Sequence, residues 1–170
     1  MVRRFSHFTN KQTSIPIKVN LSVGLSGATI QEIKWHIKSN KVNWHSNIPL
    51  LLFVGTNDIF RNTPIHFMQQ QLLSLLKYIR RQNPQIKIIL TQLPMYPRSA
   101  NNAPQIALIN QFNQFLHTLT NQHTKFFQTN SFLDPVLDFH FRYRHNGKVD
   151  KIHLNCSGNQ KLLSYLSQLL

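Results

Sequence analysis

Asp150 and His153 stand three residues apart in Asp150-Lys151-Ile152-His153-Leu154, near the C-terminus. A carboxylate at that spacing can hold an imidazole in one tautomer and stabilise its protonated form, as a general base requires. Asn57 lies in Gly55-Thr56-Asn57-Asp58, directly after the apolar run Ile48-Pro49-Leu50-Leu51-Leu52-Phe53-Val54. A carboxamide at a strand end can donate a hydrogen bond to a developing oxyanion. Gly27, in Leu25-Ser26-Gly27-Ala28-Thr29, could present its backbone N–H to the same oxyanion. A base, an orienting acid and two oxyanion donors are most of what acyl transfer through a serine hydroxyl needs. Taken singly, each motif reads more simply: Gly, Asn and Asp are ordinary turn residues, and a histidine near a helix start is commonly structural. The order and placement of the three together favour the chemical reading over the simpler one.

The elements that must position these residues can be read from the hydrophobic period. Ile15 to Val23 alternates apolar and polar residues, as a strand does. Thr29 to Lys38 carries Ile30, Ile33 and Ile37 at helical spacing, and Ile48 to Val54 reads as a buried strand. Thr63-Pro64 predicts a helix start, with Thr63 as N-cap and Pro64 at the first helical position. Ile65, Met68, Leu72, Leu75, Leu76 and Ile79 continue that helix through Arg81, and Asn83-Pro84 ends it. A strand follows over Gln85 to Leu93. Pro104 then opens a helix with Ile106, Ile109, Phe112, Leu116 and Leu119 on one face. Lys125 to Gln128 predicts a short strand, Ser131 to Leu154 a long aromatic loop, and Cys156 to Leu170 a closing helix. Strand and helix alternate four times, which argues an α/β fold with a parallel sheet covered by helices. Ligands of such sheets sit at the C-terminal strand ends, and all three motifs fall at that edge.

Composition bounds the rest. The 170 residues suit one domain, 1–170, and 41% of them are apolar. Only five are acidic, Glu32, Asp58, Asp134, Asp138 and Asp150, against 19 Lys and Arg, for a net charge of +14. Two of the motif residues come from that small acidic set. The charge has two readings of equal weight: contact with nucleic acid or another anionic surface, or a compositional drift toward Lys, Asn, Gln and Ile. The basic residues are spread along the chain rather than gathered in a tail, which suits a generally basic surface. Cys156 is the single cysteine, so no internal disulfide forms. No signal peptide and no membrane span is seen, and the chain is expected to be intracellular, cytoplasmic or nuclear. There is no Gly-x-Gly-x-x-Gly, no P-loop and no Cys/His cluster at metal-ligand spacing, so neither a cofactor nor a metal is expected.

At this point the chain resembles the SGNH hydrolases, the GDSL-type lipase and esterase superfamily. The resemblance runs from about Ser22 to the C-terminus. It assigns Gly27 and Asn57 to the oxyanion hole, Asp150 and His153 to the acid and base of a Ser-His-Asp triad, and Gly55 and Asp58 to support of the loop. It implies a three-layer α/β/α flavodoxin-like fold and a small ester as substrate. Leu93-Pro94 resembles the family's substrate-loop turn, and Met95, Tyr96 and Phe139 would tune substrate choice.

One block of the family pattern is absent. No Gly-Asp-Ser occurs in the 170 residues, and that block supplies the nucleophile and the first strand. Met1-Val2-Arg3-Arg4-Phe5 resembles the helix that follows it. Ser6, Ser22 and Ser26 do not lie at the expected strand-to-helix turn. The expectation is a domain incomplete at its N-terminus, with the first strand missing, a stunted sheet and no activity as it stands. The alternative is a non-catalytic basic SGNH-like domain of a mobile-element protein, binding nucleic acid or a protein partner. Phe139, Phe141 and Tyr143 interleave with His140, Arg142 and Arg144, a pattern that could stack on and neutralise a single strand. The same pattern also fits a segment packing its aromatics inward.

Overall fold

The computed structural model describes residues 27–39, 49–139 and 152–167. The expected strand over Ile15 to Val23, the triad acid Asp150, and the basic and aromatic positions 140–144 lie outside the described residues. Within them the order is α1 (Ile30–Ser39), β1 (Leu50–Leu52), α2 (Thr56–Phe60), α3 (Ile65–Gln82), β2 (Ile88–Thr91), a 3-10 turn (Pro97–Ser99), α4 (Ala103–Thr118), β3 (Thr124–Phe127) and α5 (Cys156–Ser167).

The three strands are parallel in the order β1-β2-β3, with Leu50 opposite Ile88 and Ile88 opposite Thr124. Successive strand residues face opposite sides. Leu50, Leu52, Ile88, Leu90 and Phe126 accordingly meet α1, α3 and α4 on one side. Leu51, Ile89 and Phe127 meet Leu162 and Leu166 of α5 on the other. Helices on both faces leave every residue of β2 buried: Ile88 to Leu90 are apolar, and the buried Thr91 hydroxyl donates to Leu52 O at 2.8 Å. This is the three-layer α/β/α arrangement the resemblance implied, built on the parallel sheet that the alternation predicted.

The long helices sit where the period placed them. Met68, Leu72, Leu75 and Ile79 are buried on α3, Ile109, Phe112 and Leu116 on α4, and Leu162, Leu163 and Leu166 on α5. The start of α3 falls one residue later than expected. Pro64, extended at ψ 140°, takes the N-cap position rather than Thr63, and no side chain caps the helix. At α4, Asn102 is the N-cap, and its side chain accepts the Gln105 N–H at 3.1 Å. Asn113, buried on the same helix, clamps the turn after β2: its Oδ1 accepts the Leu93 N–H at 2.8 Å and its Nδ2 donates to Leu93 O at 2.9 Å. Arg80 binds the opposite edge of the sheet, donating to Ile86 O, to His123 O at 2.8 Å and to Thr124 Oγ1 at 3.1 Å.

Candidate functional site

The Gly55-Thr56-Asn57-Asp58 segment opens the short helix α2, not the plain turn its residue types suggest. Gly55 makes this possible. It has φ 106°, and a Cβ placed on it would meet the Phe112 ring at 2.6 Å. Only glycine satisfies both demands. The bend turns the chain at the C-terminal end of β1 and sets Asn57 and Asp58 against the start of α1.

Two hydrogen bonds join these segments. Asn57 Nδ2 donates to Ala28 O at 2.9 Å, and Asp58 Oδ2 accepts the Ile30 N–H at 3.0 Å. Arg61, just beyond α2, adds a third by donating to Gly27 O at 2.8 Å. Gly27 itself has φ 81°, in the left-handed region that favours glycine. Thr29 and Glu32 close the start of α1 reciprocally. Glu32 Oε2 accepts the Thr29 N–H at 2.7 Å, and Thr29 Oγ1 accepts the Glu32 N–H at 3.3 Å. Hydrogen bonds from the Thr29 backbone and hydroxyl, with Arg61 at 3.4 Å, hold the Glu32 carboxyl below the usual carboxylate range.

Asp58 is 1% exposed, and its second oxygen, Oδ1, has no partner among the described residues. Burial pushes its carboxyl above the usual range, against the lowering effect of the Ile30 and Asp58 N–H groups. Its place at the N-terminus of α1 favours the charged form and partly offsets that cost.

His153 is exposed. A path of contacts ties the next residue, Leu154, to the α2 segment. Leu154 bridges Phe139 in an antiparallel pair, the Phe139 ring meets Tyr96 edge-on at 5.8 Å, and the Tyr96 hydroxyl bonds Thr56 Oγ1 at 2.6 Å. Tyr96 and Phe139 are buried at 1% and 2% exposure. They brace the site from inside, which differs from the substrate-selecting role expected of them. Burial also drives the Tyr96 hydroxyl well above its ordinary range, so it stays protonated. Of the alternating aromatic and basic segment, Phe139 packs inward, in line with the simpler reading.

Asp138 was not singled out by sequence reasoning, yet it anchors the loop that carries His153. It is fully buried. Its Oδ1 accepts from Ser157 Oγ at 3.0 Å, its Oδ2 from Lys161 Nζ at 2.8 Å and from the Asp134 N–H at 2.7 Å, and its carbonyl from the Asn155 N–H at 2.9 Å. Burial alone would raise this carboxyl. The bonds from Lys161, Asp134 and Ser157 outweigh it and hold Asp138 below the usual range. The one available signal was composition: a chain with five acids has few to place.

Hydrogen bonds therefore join the Gly55-Thr56-Asn57-Asp58 segment to the start of α1, and Leu154, the neighbour of His153, packs against the same core. Among the described residues no group of three or more His, Cys, Asp and Glu could hold a metal ion, and no helix is long and apolar enough to cross a membrane.

The sequence profile of the GDSL-like lipase/acylhydrolase family matches residues 3–161. No curated protein matches the chain. Among solved structures, the C-terminal domain of Drosophila Oskar superposes with a TM-score of 0.70 at 21% identity, covering 85% of this chain and 71% of that one. A structure described as a putative platelet activating factor from Streptococcus pneumonia gives 0.68 at 20% identity, covering 88% and 71%. A GDSL-like lipase from Bacteroides thetaiotaomicron gives 0.58 at 18% identity, covering 86% and 73%. At such identities these likenesses establish a shared fold. With its profile match running almost end to end, the chain belongs to the GDSL-like lipase/acylhydrolase family.

Proposed function

We propose that this chain supplies the base, the orienting acid and the oxyanion donors of a serine esterase that cleaves small carboxylic esters. His153 takes the proton of a serine hydroxyl as it attacks the ester carbonyl, and later returns it to the leaving alcohol. Asp150 orients His153. The Gly27 N–H and the second Nδ2–H of Asn57 stabilise the oxyanion of the tetrahedral intermediate. Gly55 and Asp58 hold those donors in place.

The observation that carries this reading is the pair of bonds Asn57–Ala28 and Asp58–Ile30, which locks two separate motif segments into one unit at the C-terminal sheet edge. The serine is not among these residues, since no Gly-Asp-Ser occurs in the sequence. The chain alone is therefore proposed not to turn esters over.

Joined at its N-terminus to a Gly-Asp-Ser strand from another family member, it is expected to gain p-nitrophenyl acetate hydrolysis. His153→Ala should lower that rate about 10²–10⁴-fold. Asn57→Ala should lower it roughly 10²–10³-fold. A folded fusion whose rate is indifferent to His153 would sink the proposal. The second reading, a non-catalytic basic domain of a mobile-element protein binding nucleic acid or a protein partner, is favoured by one feature away from this edge, the cationic groove between α1 and α3.

A further inference from the structure

Both α1 and α3 start at the motif edge and run away from it side by side. Gln71 Nε2 reaches Gln31 Oε1 at 3.5 Å, Lys34 Nζ reaches Ser74 Oγ at 2.5 Å, and Lys38 Nζ lies 5.7 Å from the Tyr78 ring centre. Down the seam a groove of about 260 Å³ opens, lined by Lys34, Lys38, Ser74, Lys77, Tyr78 and Arg81. Four of the six are cations and none is an acid.

Among the described residues no carboxylate pairs with these cations. The described ion pairs are Arg61–Glu32 and Lys161–Asp138, and neither touches the groove. The acid of α1, Glu32, is turned away toward Arg61. Arg80 is committed to the sheet edge, whereas its neighbour Arg81 lines the groove. Four like charges around one channel repel one another unless an anion fills it.

The layout selects among anions. Lys34 and Lys38 are one turn apart on α1, and Lys77 and Arg81 one turn apart on α3, a rise of about 6 Å in each row. Two staggered rows along a channel suit a repeating anion better than a single phosphate. Beside Lys34, on the solvent side of the row, stands Trp35, 68% exposed. An indole left in water next to a cationic channel can stack on a base, as single-strand binding surfaces do.

We propose that the α1/α3 groove binds single-stranded nucleic acid, with Lys34, Lys38, Lys77 and Arg81 neutralising phosphates and Trp35 stacking on a base. The site is separate from the ester site, so the two readings stand or fall apart.

The test is fluorescence anisotropy of a labelled oligo(dT) titrated with the whole chain, with inorganic polyphosphate as a competitor that has no bases. Replacing all four cations with Gln is expected to weaken binding at least tenfold at about 50 mM salt, and to lower the salt slope by about 0.7 per cation removed. Trp35→Ala should weaken oligo(dT) binding about tenfold, leave polyphosphate binding unchanged, and reduce the quenching of tryptophan emission on titration. Far-UV circular dichroism checks that each variant keeps its helices. Absence of oligo(dT) binding by the parent chain overturns the proposal. So does a folded four-fold variant that binds as the parent does, or a Trp35→Ala variant that loses nothing.

Discussion

The Asp58 carboxylate caps the helix begun by the Gly27 segment: its Oδ2 accepts the Ile30 N–H at 3.0 Å, across 28 residues of sequence. One acid of the Gly-x-Asn-Asp motif thus fixes the other loop of the candidate oxyanion hole. Asp58→Ala removes the cap and leaves a buried helix N–H without a partner, an expected loss of about 1–2 kcal/mol in urea denaturation. Asp58→Asn keeps an acceptor at the same place and should lose less than half of that.

The two buried acids at this edge should impose opposite pH dependences. Asp58 has its carboxyl raised by burial. Its contribution is greatest below the unfolded carboxylate value and falls away as pH rises through the higher folded value. Asp138 has its carboxyl lowered by its bonds from Lys161, Asp134 and Ser157 against the cost of burial. Its contribution is present above the unfolded value and is lost as pH falls through the lower folded value. In stability profiles measured across the acid range, Asp138→Asn should flatten the acid-side fall, and Asp58→Asn should remove a decline on the other side.

Gly55 and Gly27 share a positive φ but differ in surroundings. Gly27→Ala meets no heavy atom within 4 Å, so only the backbone cost of about 1–2 kcal/mol applies. Gly55→Ala adds a collision with Phe112, and overpacking of that kind costs about a further 1–3 kcal/mol. Thermal melts of the two variants should rank Gly55→Ala clearly lower. Equal melting temperatures would show that Phe112 gives way.

Much of this fold was legible because its signals are periodic. Met68, Leu72, Leu75 and Ile79 repeat at helical spacing, and Ile88 to Leu90 form a run too short and too apolar for anything but a covered strand. Other features depend on contacts between distant segments. The α2 helix hides behind turn-forming residues, because it is the Gly55–Phe112 approach that sets its start. Asp138 gains its role only when Ser157 and Lys161 arrive from α5. Tyr96 and Phe139 sit in loops without a period, so nothing local told whether they face substrate or core.

The most direct measurement is the initial rate of p-nitrophenyl acetate hydrolysis by this chain beside its His153→Ala variant, each with and without a serine-directed fluorophosphonate. With the nucleophile outside these residues, the two proteins should give the same rate, and the phosphonate should change neither and leave no adduct by mass spectrometry. A rate above that of His153→Ala, abolished as a serine becomes labelled, would mean the chain holds its own nucleophile and would contradict the proposed division of the site.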